Sequence, residues 1–230
     1  MKKFMIGALV AATLIGAVAL TSGTYATLTA TDSVTNNLST GSIDIEVNEN
    51  EFVDKEIWNG SKADKLVKIT NNSKSPALIR VAIIPRWVDE NDNPWPGDTS
   101  IVDIEFNNDF IIDSNTIPTV PTNKWVKSNG SEYYYYAKIV PSPSPDPEKP
   151  GEMIYHQTEA IIKSIKVEVP PELENRYEGK KLIVDVKSEA VLAAPKDSTA
   201  YTKEAVYKST WTDITDKNIT DMLDELSKIN

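Results

Sequence analysis

The sequence has no cysteine, a single histidine among 230 residues, and only 9 glycines. Without a thiol there is no cysteine nucleophile and no disulfide, so an exported form of this chain must be held by its core alone. His156 is the one imidazole. Catalytic zinc sites usually draw on two or three, with HExxH as the common spacing, and "YHQTEA" (155–160) does not supply it. A Ser-His-Asp arrangement would have to use this same residue, which reads as part of a surface loop beside a Pro-rich stretch. No Gly-rich phosphate loop is present. The acidic pairs Asp89/Glu90 and Glu172/Glu174 read as solvated faces, with no spacing that marks a glycosidase. The expectation is therefore a non-enzymatic protein with no catalytic residue, no metal and no cofactor.

Positive charge is also scarce, with 24 Lys and Arg against 34 Asp and Glu. Such a balance repels nucleic-acid phosphates and anionic lipid, so neither is an expected partner. What is present begins with the N-terminus. Lys2 and Lys3 precede the uncharged stretch Phe4–Leu20, and small residues lead to Thr24-Tyr25-Ala26. That is the layout of a secretory signal peptide cut between Ala26 and Thr27, with a retained membrane anchor as the alternative for an apolar run at the lower edge of spanning length. Removing residues 1–26 takes away two lysines and no acid, so 22 basic against 34 acidic residues leave a net charge of −12. No second apolar stretch follows, so the chain carries no membrane segment after cleavage. Disulfide-free export leans towards a Gram-positive-like envelope. The 204 residues that remain of 230 suffice for one sizeable domain.

Most of that domain alternates with a period of two. Ile43, Ile45 and Val47 oppose Asp44 and Glu46; Val102, Ile104 and Phe106 oppose Asp103 and Glu105. Ile165, Val167 and Val169 oppose Lys166 and Glu168, and Leu182, Val184 and Val186 oppose Ile183, Asp185 and Lys187. Each reads as a strand with one wet face. "PALIRVAIIPRW" (76–87) is nearly all apolar and predicts a central strand buried on both faces. Asn129-Gly130 predicts a two-residue type I′ hairpin turn. "NDNPWPGD" (91–98) and "PSPSPDPEKPGE" (141–152) read as Pro-rich loops outside the sheets, the second being a stiff inter-strand loop in preference to an interdomain linker. Helix is expected only at the end. In 215–230, Ile219, Met222, Leu223, Leu226 and Ile229 form one stripe behind a Thr215/Asp216 cap. Whether it packs on the sandwich stays open.

The fold class expected is all-β: an antiparallel β-sandwich of jelly-roll type with long loops and a short C-terminal helix. Its parts are a signal peptide (1–26), an N-terminal strand segment (27–40), the sandwich (41–212) and the amphipathic helix (213–230). In "YYYY" (133–136) one pair of rings would enter the core rim and the other would be exposed. Strand propensity accounts for the run, with a glycan platform as the alternative. An intramolecular isopeptide link, which needs a buried lysine beside an asparagine and a carboxylate, is a further idea that sequence cannot test.

Several stretches carry a resemblance. "SGTYA", a Thr/Asn-rich segment and then "LSTGSIDIEV" look like the exported matrix proteins processed by a SipW-type signal peptidase, the TasA and camelysin family. "VKITNNSKSPALIRVAIIPRWVDE" (67–90), "SEYYYYAKIV…KPGE" (131–152) and "YEGKKLIVDVKSEAVLA" (177–193) look more like the clostridial BsaA branch. The resemblance implies a secreted subunit of extracellular biofilm matrix fibres at the cell surface. It also implies partners: further copies of the same chain, the signal peptidase and accessory matrix proteins. In fibres of that family the N-terminal segment of one subunit serves as a strand in the next. The corresponding donor residues here are Leu28, Ala30, Val34 and Leu38, on one parity of the segment with Asp32 the exception; the alternatives are that 27–38 pairs within its own sandwich or forms a disordered tail. The alternatives are a glycan-binding adhesin, or a camelysin-like metalloprotease for which this sequence has no zinc ligand set.

Overall fold

The computed structural model describes residues 26–29, 32–34, 43–48, 56–57, 60, 62–193 and 205–228. The expected signal segment before Ala26, together with Ala30, Leu38 and Ile229, lies outside the described residues. The chain runs through β1 (Ala26–Thr29), β2 (Asp32–Val34), β3 (Ile45–Asn48), β4 (Glu56–Ile57), β5 (Lys62–Asp64) and β6 (Lys68–Asn71) into a long β7 (Ala77–Val88). It continues with β8 (Pro94–Trp95), β9 (Val102–Phe106), β10 (Ile111–Asp113), β11 (Trp125–Lys127) and β12 (Tyr133–Tyr136). A small hairpin, β13 (Ser144–Pro145) and β14 (Met153–Ile154), leads to β15 (His156–Gln157), β16 (Ile162–Val167) and a long β17 (Lys181–Leu192). Short helices α1 (Glu174–Tyr177) and α2 (Val206–Thr210) and the longer α3 (Lys217–Lys228) complete the described chain.

Two layers of sheet make the sandwich. One is ordered β10-β11-β12-β7-β17-β1-β4, with β2 on β17 and β8 on β7. The other consists of β15-β6-β3 and β5-β16-β9. The chain runs on from β5 to β6 and from β15 to β16, and bonds from the Thr158, Ile161 and Lys65 N–H groups to the Ile69, Val67 and Lys163 carbonyls continue the pairing between the two groups, so they act as one layer. Between the layers lies a core of Ile45, Val47, Ile69, Ile79, Val81, Ile165, Val167, Leu182, Val184 and Val186, the inward parity of the alternating strands. The all-β sandwich expected from the alternation is thus the observed architecture.

The outer face of the first layer carries a second core. There Leu78, Val126, Tyr135 and Val191 meet Tyr207 and Trp211, and the Ile219, Met222, Leu223 and Leu226 stripe of α3. Burying each of those four helix side chains contributes about 1.5–3 kcal/mol. The helix therefore packs on the sandwich, and it explains why the first half of β7 is buried on both faces while Ile83–Arg86 beyond it is not. Asp216 caps α3, its Oδ1 accepting from the Asn218 N–H at 3.0 Å.

Several local expectations change. The first layer is mixed, because β10 runs parallel to β11 and both β1 and β2 run parallel to β17. Helix is not confined to the end, since α1 and α2 precede α3. Asn129-Gly130 does not form a two-residue turn. Lys127 pairs with Tyr134, and the Ser128 N–H donates to the Tyr133 carbonyl at 3.1 Å, leaving a loop of 129–132. Only Gly130 there has a positive φ, 76°, whereas a type I′ turn needs two. The Asn129 N–H is held instead by Asp216 Oδ2 at 2.8 Å, so the start of α3 shapes this loop. Pro94 and Trp95 do join a sheet, against Val88 and Trp87 at its edge, where proline's missing donor costs nothing. Within 141–152, Ser144 and Pro145 pair with Ile154 and Met153, making the Pro-rich loop a hairpin arm.

Candidate functional site

The candidate site is the edge of β17 that receives the N-terminal segment. β17 is long because Lys181–Leu192 is rich in strand-favouring Val and Ile and contains no glycine or proline. Along one edge it pairs antiparallel with β7 for its whole length, from Lys181↔Val88 to Leu192↔Ala77. Along the other, Thr27↔Lys181, Leu28↔Leu182 and Thr29↔Ile183 are followed by Asp32↔Val186, Ser33↔Lys187 and Val34↔Ser188. The offset is the same in both groups, so β1 and β2 lie on one parallel register. β4 then flanks β1, Ala26 opposite Ile57 and Thr27 opposite Glu56.

The register matches parity to parity. Leu28 and Val34 are set against Leu182 and Ser188, which belong to the fully buried, core-facing row of β17. Thr27, Thr29 and Ser33 are set against Lys181, Ile183 and Lys187 of the outward row. Of the expected donor residues the structure thus brings Leu28 and Val34 to the β17 edge within the same chain. Ala30 and Leu38 fall outside the described residues. Ala26 and Thr27, the expected cleavage pair, both belong to β1.

Charges on the outward row of β17 are satisfied locally. Lys181 Nζ lies 2.9 Å from Asp92, Asp185 accepts from Arg86 Nε at 2.6 Å, and Lys187 Nζ lies 2.8 Å from Glu189 Oε1. Glu189 and Arg80 form a buried pair, with Glu189 Oε2 accepting from Arg80 Nε at 2.8 Å and Nη2 at 2.6 Å. Arg80 Nη1 reaches on to Asp213 at 2.8 Å, in the stretch between α2 and α3. Its guanidinium also lies 3.9 Å from the centre of the Tyr133 ring. Burial pushes the Glu189 carboxyl up, but hydrogen bonds from Lys187, Arg80 and Tyr133 outweigh it and hold it below its ordinary value.

The tyrosine strand is not a platform. Tyr134 and Tyr136 face the sandwich core, Tyr135 lies under the helices, and Tyr133 donates from its hydroxyl to Glu189 at 2.8 Å. Helices on the outer face leave no exposed pair of rings, contrary to the expected division. His156 is half-buried in β15 opposite Asn71 and not in a surface loop. Its Nε2 lies 3.4 Å from Ser144 Oγ, and no carboxylate among the described residues orients the ring. No cluster of three or more His, Asp or Glu that could hold a metal occurs among the described residues. Lys65 is fully buried, which supplies one of the three groups an isopeptide link requires.

Sequence reasoning identified the N-terminal segment but missed its receiving edge. The available signal was the matching parity of 27–34 and 181–188. A parallel partner at the far end of the chain gives no local turn to point to it. Neither a scan of protein-family models nor a search of curated proteins finds a match to this chain.

Proposed function

We propose that this protein is a secreted, non-enzymatic structural subunit of extracellular matrix fibres, built as a jelly-roll sandwich and polymerising head-to-tail by exchange of its N-terminal strand. The observation that carries this reading is the single parallel register of β1 and β2 on the β17 edge. The segment comes from the chain terminus and its loss leaves the β7–β17 pairing intact, so the same edge can be filled by its own strand or by another copy's. Swapping one identical element between copies is a low-cost route to association, and a heterologous contact of this kind grows filaments instead of closing. The donated strand adds backbone hydrogen bonds by β-augmentation, and each leucine or valine that such a strand buries contributes about 1.5–3 kcal/mol. The resemblance to the TasA and camelysin family, and to its BsaA branch, supports the same reading.

In this account a SipW-type peptidase cuts between Ala26 and Thr27, and the cut is the assembly switch. While residues 1–26 are attached, the strand is tethered and cannot reach a neighbour's edge. Intact-mass measurement of the secreted form should give Thr27 as the first residue. Negative-stain microscopy of concentrated protein tests the rest. A chain starting at Thr27 forms fibres, whereas one lacking 27–38 stays monomeric and is stabilised by a synthetic 27–38 peptide. Fibres from the truncated chain would refute strand exchange.

A further inference from the structure

We propose that the outward face of β3, β6 and β15 is a binding groove for a glycan that carries free amino groups. The groove is open to solvent and offers about 610 Å³. Its floor is ordered by the strand register. Glu46 pairs with Thr70 and Thr70 with Gln157, which makes one transverse row of three. One residue pair further along each ladder, Asp44, Asn72 and Tyr155 make a second row, fixed by the Asn72 N–H donating to the Asp44 carbonyl at 2.9 Å. Strands about 4.8 Å apart make each row about 10 Å wide, and the rows lie about 7 Å apart along the strands. That is the footprint of a short stretch of linked pyranoses, not of a single ion.

The chemistry of the rows selects the ligand. Tyr155 is 57% exposed, the most exposed large apolar side chain of the described protein, and it stands at one end of its row as a face on which a sugar ring can stack. Asn72, Thr70 and Gln157 offer amide and hydroxyl groups that both donate and accept, as vicinal diols require. Asp44 and Glu46 stand at the opposite ends. Neither is in an ion pair with a described residue, and the lysine of this face, Lys68, stands opposite Asn48, one row beyond Glu46, Thr70 and Gln157. The nearest side-chain partner of Glu46 is the neutral Asn72 amide, at 3.3 Å. Two carboxylates are too few for a calcium cage, which takes six to eight oxygens. They suit ammonium groups on a hexosamine chain, and they repel uronate or phosphate glycans. The proposal is independent of fibre formation.

Calorimetric titration of the full chain tests it, with three hexasaccharide probes and one peptide: glucosamine, N-acetylglucosamine, a uronate-containing glycan, and hexalysine. The glucosamine oligomer should bind at least about tenfold more tightly than the acetylated one, a difference of about 1.4 kcal/mol, and the uronate should not bind. Tyr155→Ala should weaken the glucosamine oligomer about tenfold or more. Glu46→Gln should weaken it while leaving the acetylated oligomer unchanged. Melting curves of both variants should match the parent, since both side chains lie on the surface. Absence of glucosamine binding would overturn the proposal. So would equal binding of the acetylated oligomer, or hexalysine binding that survives Tyr155→Ala, which would mark the face as a docking site for a basic protein segment.

Discussion

Leu28 stands in parallel register with Leu182, so two strands far apart in the sequence share one ladder. A contact spanning so much sequence is closed last and gains least from local structure, because loop closure must be met before the pairing contributes. The β7–β17 ladder on the other edge extends over twelve residue pairs and does not depend on it. Release of the N-terminal segment would therefore leave that ladder in place, as an exchangeable strand requires.

The Arg80–Glu189 pair ties β7 to β17 beneath the C-terminal helices, with both side chains about 95% buried. Arg80→Met should destabilise the protein by about 3–5 kcal/mol, because buried Glu189 loses two charge-assisted hydrogen bonds and is left with Lys187 alone as counter-charge. Asp213→Ala, at a half-exposed carboxylate, should cost at most about 1 kcal/mol. Urea titration with unchanged slope measures both. Equal losses in the two variants would contradict this ranking.

Burial pushes Tyr134, Tyr135 and Tyr136 each up to about 12 from an ordinary 10. A phenol held neutral by the fold stabilises it fully below pH 10. That contribution is lost as pH rises through 12. Ultraviolet titration should show these three tyrosines ionising late, together with unfolding. At the acid end the depressed Glu189 carboxyl acts in the opposite sense, its stabilisation being lost as the pH falls below the ordinary carboxylate range.

Much of this fold was legible because burial follows strand parity. Ile43, Ile45 and Val47, and Leu182, Val184 and Val186, all point inward as their alternation requires. The α3 stripe was equally plain, although only the outward row of Leu78, Tyr135 and Val191 explains where it docks. What sequence could not give were relations between distant segments. Asn129 has the chemistry of a type I′ turn, but its N–H bonds to Asp216 from the other end of the domain. The N-terminal segment could be recognised as a strand, but its receiving edge on β17 carries no local mark. Tyr155 was read as part of "YHQTEA", with no sign that it stands beside Asn72 and Asp44.

Gly97 lies where the chain passes over the rings of Trp87 and Trp95. A Cβ there would come within 2.5 Å of the Trp87 ring and closer still to Trp95. Those rings pack edge to face with Tyr177, whose hydroxyl accepts from the Asp98 N–H at 2.8 Å. Gly97→Ala should cost about 1–3 kcal/mol through forced displacement of this cluster, seen as a lower melting temperature and altered tryptophan fluorescence. A neutral substitution would contradict the close approach.

Asp216 serves two elements, bonding Asn218 in α3 and Asn129 in the β11–β12 loop. Asp216→Ala should cost about 1–2 kcal/mol and loosen α3, as read from exchange of its first-turn amides. Exchange as slow as in the parent would show that the apolar stripe alone fixes the helix.

The most direct test of strand exchange uses the absence of cysteine from the chain. Thr27 and Lys181 are paired across parallel strands about 4.8 Å apart, inside the Cα separation of about 4.4–6.8 Å that a disulfide accepts. A Thr27→Cys, Lys181→Cys double variant, starting at position 27, is oxidised either as monomer or after assembly, then run on a non-reducing gel. Monomers should lock internally and fail to polymerise. Fibres should give a ladder of covalent multimers, because the thiol introduced on the donated strand of one copy then meets the thiol introduced on β17 of the next. Fibres that oxidise only within single chains would contradict the account.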